Sequence, residues 1–307
     1  MAFNNSLTAV PVIDLSYRVF LVQVFVLVFL SINFFLIATF FMKHFFYTTM
    51  RYMLFAITLL SDSLFLLMTD TLLILSYFGF TIQVWLCVII YIVLSLYTFV
   101  TPVTLTAMTL ERYVAVCMPL RHGELCTTRC ALHVILIIHS LSSIPCIVTL
   151  SIFFASVTRS LYTQGRVCSA EMFIFHSWQG HLRSAISQFY FLIMCIIIVF
   201  SYIKIMKAAK AASAENKKST WKGLRTVVLH GFQLLLCLIQ LWCPLIESAV
   251  LQINVMLFIN VRYFNYIMFI LAPRCLSPLI YGLRDETFFH ALKYYALCGL
   301  YKNKPQV

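Results

Sequence analysis

Charge is what this chain has least of. Only 10% of its 307 residues are charged and just 10 are acidic, against about 25% charged in an ordinary soluble domain. Together with 62% hydrophobic residues, that scarcity excludes a water-soluble domain and leaves a membrane protein, whose length one helical bundle accounts for. Residues 1–16 lack a basic stretch followed by a short apolar core. No cleavable signal peptide is therefore expected, and the first apolar run reads as an uncleaved anchor. No internal repeat or low-complexity segment occurs. Without broken helices repeated in both halves, or rings of pore-lining charge, a transporter or channel is disfavoured. The cysteines, histidines and acids show no catalytic or metal spacing, so no enzyme, metal site or cofactor is expected.

What the sequence does contain is seven apolar runs, near residues 18–42, 51–77, 85–116, 130–154, 185–208, 222–250 and 255–282. Each is close to the ~20 residues a helical span requires. The expected architecture is an all-α membrane protein, a single seven-helix domain over 1–307. It divides into an extracellular N-terminus (1–17), a bundle (18–282) and a cytoplasmic amphipathic helix with its tail (283–307). Charge orients it. With the N-terminus outside, 16 of the 22 lysines and arginines fall on the inner side. Arg18, Arg159, Arg166, Arg183 and Arg262 fall outside, and Arg274 lies within a span. The net charge of +12 thus reads as positive-inside topology and not as a nucleic-acid surface. The same orientation exposes the Asn4-Asn5-Ser6 sequon to glycosylation at Asn4.

At the end of the third run stands TLERYVAVCMPLR, residues 109–121. Glu111 and Arg112 are costly at a membrane boundary unless partnered or functional. Residues 87–107 carry no charge, and Cys87 stands 25 positions before Arg112. That is roughly 37 Å of helix, enough to carry one helix from an outer cysteine to an inner Glu-Arg-Tyr. This segment resembles the third helix of rhodopsin-class G-protein-coupled receptors, and MTLERYVAVCMPLRH resembles the odorant-receptor version, fish-type in style. The resemblance extends over nearly the whole chain.

It implies roles for other residues. Asn33 and Asp62 match polar residues the class keeps in its core. SPLIY resembles the class motif Asn-Pro-x-x-Tyr, with Ser277 in place of asparagine, ahead of Pro278 and Tyr281. Arg274 lies one turn above Pro278, near the depth of Asp62; it either pairs with Asp62, replacing the sodium site of the class, or faces a cavity and its water. Trp242-Cys243-Pro244 resembles the class pivot, and Tyr202 matches the tyrosine at the inner end of the fifth helix. With Glu111, Arg112 and Tyr113, these residues form the expected activation and coupling set. Arg112 read alone is a basic residue snorkelling at an interface. Lys204, Lys207 and Lys210 serve topology, G-protein contact, or both.

Two of the 11 cysteines, Cys87 and Cys168, fall on the oxidising side. One pair leaves one disulfide, and as in the receptor class it ties the second outer loop to the third helix. The further loop cysteines of many odorant receptors are missing here. Helix spacing nominates a pocket from Leu94, Ser95, Thr98 and Phe99 in the third span and Ile186, Ser187 and Tyr190 in the fifth. Leu245, Ile246 and Ala249 in the sixth and Tyr263, Tyr266 and Ile270 in the seventh complete it. The same residues equally suit plain packing. Asp70 and Glu247 lie toward the outer ends and either face a ligand or pair with outer arginines.

The resemblance implies a small odorant as ligand, a heterotrimeric G protein of the stimulatory olfactory type as partner, and a multi-pass site in the plasma membrane of sensory neurons. A receptor of the same class for an amine, peptide or lipid is the alternative. Leu94 stands where aminergic receptors carry aspartate, and the seventh span has no lysine for retinal. After Gly282, the residues Phe288, Leu292 and Tyr295 repeat at helical spacing, predicting an amphipathic helix on the inner leaflet, with Cys298 beyond it either acylated or simply reduced.

Overall fold

The computed structural model describes residues 12–157, 162–212, 228–229, 231–278 and 286–296. Asn4, Tyr281 and Cys298 lie outside them. Among the described residues, seven helices are long and apolar enough to cross a membrane. They are α1 (Val12–Met42), α3 (Met50–Tyr77), α4 (Val84–Cys117), α6 (Thr128–Ser156) and α7 (Ser177–Ala212), followed by α8 (Gly231–Leu251) and α9 (Val255–Ser277). Two short helices, α2 (His44–Thr48) and α5 (Pro119–Leu125), fill inner turns, and α10 (Glu286–Ala296) follows the last span.

Apolar side chains on both faces of each helix explain this inside-out surface. Leu54, Leu59, Val100, Leu105 and Leu238 pack into one central cluster. Phe34, Leu136, Ile196 and Phe264 stay on the outside, where lipid replaces water as the solvent. Hydroxyls that would be orphaned in such a medium donate one turn back. Thr98 Oγ1 reaches the Leu94 carbonyl at 2.7 Å and Thr104 Oγ1 that of Val100 at 2.7 Å, which satisfies them inside the helix.

The outer end is closed by a short ladder. Gly79, with φ +67°, turns the chain after α3 into β1 (Ile82–Gln83), which pairs antiparallel with β2 (Gly165–Arg166). The Cys87–Cys168 disulfide lies beside it, with Cα atoms 5.6 Å apart. Stacked Tyr91 and Phe173 rings, centroids 4.1 Å apart, fill the space beneath. At the other end α10 inserts Phe288, fully buried, among Phe46, Tyr52 and Phe55.

α7, α8 and α9 each depart from the sequence expectation. α7 begins at Ser177 instead of 185, because its polar first turns are helical: Gln179 Oε1 accepts from the Phe175 and His176 amides at 2.7 and 3.3 Å. α8 is interrupted by a tight 3-10 turn at Gln240–Trp242, just before Pro244. α9 widens into a π-helical turn at Tyr266–Leu271. Pro273 follows at once and has no N–H to give the preceding turn, so the α-helical ladder breaks there.

Candidate functional site

The outer halves of the helices enclose a cavity of about 640 Å³. From α4 it takes Leu94, Ser95, Thr98 and Phe99; from α7, Ile186 and Ser187; from α9, Tyr263, Tyr266 and Ile270. All nine are in the predicted set. Tyr190 does not line it. Its hydroxyl donates to the Leu141 carbonyl at 2.6 Å, and its ring leans on Phe99 with centroids 5.1 Å apart, so it supports the wall from behind.

The α8 wall corrects the sequence reading. Leu245, Ile246 and Ala249 are not among the lining residues; Gln240, Leu241, Cys243, Pro244 and Glu247 are. Leu245, Ile246 and Ala249 sit one and two turns from Trp242, on its own face. Trp242 does not point into the bundle: it is 40% exposed and packs edge-on against Phe191 of α7 with centroids 5.6 Å apart. A tryptophan taken as inward-pointing therefore misplaces the whole face.

The sequence leaves Glu247 either facing a ligand or paired with an outer arginine. It lines the cavity, accepts from Asn265 Nδ2 at 3.1 Å and faces Arg262 Nε at 4.0 Å. Arg18, Arg183 and Arg262 also border the space, each near the outer end of its helix. Asp70 stays outside the lining, hydrogen-bonded to Gln23 Nε2.

Under the cavity lies a buried polar network. Arg274 and Asp62 are both fully buried, with Nε 3.5 Å from Oδ1. The arginine sits over Phe65, its central carbon 3.7 Å from the ring centroid, a cation–π contact. Asp62 also accepts from Thr101 at 2.8 Å and Ser277 at 3.2 Å. Gln233 Nε2 donates to Ser277 Oγ and to the Pro273 carbonyl. Arg274 Nη1 donates to Gln240 Oε1 at 3.0 Å. Four helices, α3, α4, α8 and α9, thus meet around one ion pair. Gln240 belongs both to this network and to the cavity floor. Gln233 and Gln240 escape a sequence reading because a glutamine in an apolar run carries no motif; their i, i+7 spacing on one helix face is the signal. Asn33 of α1 is buried and donates to Ser63 of α3 at 3.1 Å. Pro278 is buried at the end of α9.

The inner end collects the coupling set. Glu111 is buried, and Arg112 and Tyr113 are half-buried. Tyr113 faces Phe200 with centroids 6.0 Å apart. Tyr202 is hydrogen-bonded to Thr109 and lies within electrostatic reach of Arg112. Gly231 of α8 passes so near Tyr202 that an added Cβ would meet its ring at 3.4 Å. His122 Nε2 stands 3.3 Å from Glu111 Oε1. Cys126 joins them, the three ligand atoms lying within 4.8 Å of one another. Burial first, then the Glu111 carboxylate and the Cys130 thiol, push the Cys126 thiol above its ordinary value. The sequence shows no metal spacing here, because Cys126 lies just past α5, four residues after His122, and the acid comes from another element.

The family described as "7 transmembrane receptor (rhodopsin family)" matches residues 32–281. Odorant receptor 131-2 of Danio rerio is 45% identical over 286 residues, covering 91% of this chain and 86% of that relative. Galanin receptor 2a of the same organism is 24% identical over 225 residues, covering 68% of this chain and 58% of its own. A seven-helix bundle with an eighth helix, an outer disulfide and an inner Glu-Arg-Tyr agrees with both matches. The chain is a multi-pass membrane protein that belongs to the rhodopsin family of seven-transmembrane receptors, and within it to the odorant receptors.

Proposed function

We propose that this receptor binds small, mostly apolar odorants in the cavity between the outer halves of its helices and activates a heterotrimeric G protein at its inner face. The observation that carries the reading is the cavity itself. It has the size of a small-molecule site, it is walled by Leu94, Phe99, Ile186 and Ile270, and it holds a few hydroxyls, Ser95, Thr98, Ser187 and Tyr266. Such a lining recognises an apolar body with one or two hydrogen-bonding groups. The odorant receptor named above supports the ligand class.

Gln240 supplies the route from ligand to network. A molecule resting on the floor presses on the residue that holds Arg274, so cavity occupancy biases how α8 and α9 sit against α3 and α4. A ligand that fits one arrangement better shifts the population towards it. Tyr202, packed on Gly231 and bonded to Thr109, reads that shift at the inner end, where Arg112 is offered to the G protein. By family resemblance the partner is of the stimulatory olfactory type, and the site is the plasma membrane of sensory neurons with the N-terminus outside. The disulfide at the opposite end from Glu111 supports that orientation, since disulfides belong to the oxidising side.

Amines form a second reading, favoured by Glu247 on the cavity wall. A second-messenger assay with cells expressing the receptor, challenged with neutral, acidic and amine odorants, tests both. Responses to neutral or acidic members that disappear in Ser187→Phe support the proposal; a full panel without response in well-expressed receptor rejects it.

A further inference from the structure

We infer that Glu111, His122 and Cys126 form a binding site for a divalent cation of the Zn²⁺ type, joining the inner-loop helix α5 to the base of α4. The site is independent of the odorant reading, because it lies at the opposite end of the bundle and involves no cavity residue.

The geometry comes from two elements. α5 opens with Pro119, which starts a helix at little cost because its missing N–H has no partner in a first turn. One turn on, the Cys126 amide bonds the His122 carbonyl at 2.9 Å. His122 sits on α5 and Cys126 caps it one turn later, and the imidazole nitrogen and thiol converge with the Glu111 carboxylate of α4. There Glu111 is 8% exposed and already meets His122 Nε2 at 3.3 Å. Two ligands about 2.0 Å from a tetrahedral Zn²⁺ are about 3.3 Å apart, so carboxylate and imidazole stand at bonding separation for the ion. The thiolate edge of such a site is about 3.5 Å. The outer limit of 4.8 Å among the three atoms leaves a closing movement of roughly 1 Å, which falls on Cys126, at the end of its helix and half-exposed.

The chemistry of the donors selects the ion. One nitrogen, one oxygen and one sulfur suit Zn²⁺ and exclude Mg²⁺ and Ca²⁺, which want oxygen shells. Three protein ligands leave the fourth position to water. A thiolate beside the Glu111 carboxylate is unfavourable without a cation and neutralised with one. Inner-face thiols are kept reduced, so Cys126 is available as a ligand. A bound ion fixes α5 against α4 one residue from Arg112.

The test uses full-length receptor in nanodiscs, stripped with chelator and titrated with Zn²⁺ against a chromophoric competitor. Co²⁺ serves as a second probe, because thiolate ligation gives it a near-ultraviolet charge-transfer band. One equivalent is expected per receptor. Cys126→Ser should remove the band and weaken Zn²⁺ by at least ~10-fold, and His122→Gln should weaken it similarly. Cys126→His, which replaces one ligand with another, should keep Zn²⁺ binding and lose the band. Cys117→Ser, at the end of α4, should change neither. A band that survives Cys126→Ser, Zn²⁺ affinity indifferent to both ligand variants, or no binding at micromolar Zn²⁺ overturns the site.

Discussion

Arg274 and Asp62 share one buried site: Nε and Oδ1 are 3.5 Å apart, and neither side chain reaches solvent or lipid. A carboxylate at that depth needs a cation. Here the protein supplies its own, from the helix facing it. Removing one partner of a buried pair typically costs about 3–5 kcal/mol, because the other charge is left uncompensated. Arg274→Leu should therefore lower the thermal stability of purified receptor well beyond Asp62→Asn with Arg274→Leu combined. Equal losses in the single and double variants would mean that the pair contributes nothing beyond volume. Signalling of the parent receptor should also be indifferent to Na⁺.

Gln240 touches both the cavity and Arg274 Nη1. Gln240→Leu keeps the volume and removes the acceptor. Odorant affinity should change little while maximal response falls several-fold. If affinity and maximal response fall together, Gln240 is only a wall residue.

The cavity wall and the Trp242 face of α8 make opposite forecasts. Ser187→Phe fills the cavity from α7 and should abolish responses, whereas Ile246→Ala, on the Trp242 face, should leave the concentration–response curve unchanged. Loss of response in Ile246→Ala at normal surface expression would restore the face predicted from sequence.

Glu247→Gln removes the carboxylate from the cavity wall and leaves Arg18, Arg183 and Arg262 around it. Responses to neutral odorants should persist and those to acidic odorants strengthen. Selective loss of amine responses that the parent receptor shows would make Glu247 a counter-ion.

Arg112→Ala should abolish second-messenger production while surface labelling and ligand binding remain. Intact signalling from that variant would remove Arg112 from the coupling role.

The seven spans were legible because lipid demands about 20 apolar residues whatever the fold. The Arg274–Asp62 meeting was only half legible: helix rise gives both depths, but not whether the two side chains meet or face a cavity. The α8 wall was not, since rotation about an axis depends on where a 3-10 turn falls and on which neighbour takes Trp242. The start of α7 was missed for the converse reason. Ser177-Trp178-Gln179 reads as loop to a hydropathy scale, yet it is helical and its start is closed by the Gln179 side chain. The Glu111–His122–Cys126 cluster needed two elements in register, which no single-chain spacing reveals.

Phe288 has a consequence for how the receptor meets its membrane. Amphipathic helices that merely float at an interface take their heading from the headgroups and drift with lipid composition. α10 is pegged instead, through one aromatic side chain seated between Phe46, Tyr52 and Phe55, onto the first inner turn of the bundle. Its compass bearing is thus set by protein, and a change of bilayer alters how well its outer face is wetted without turning it.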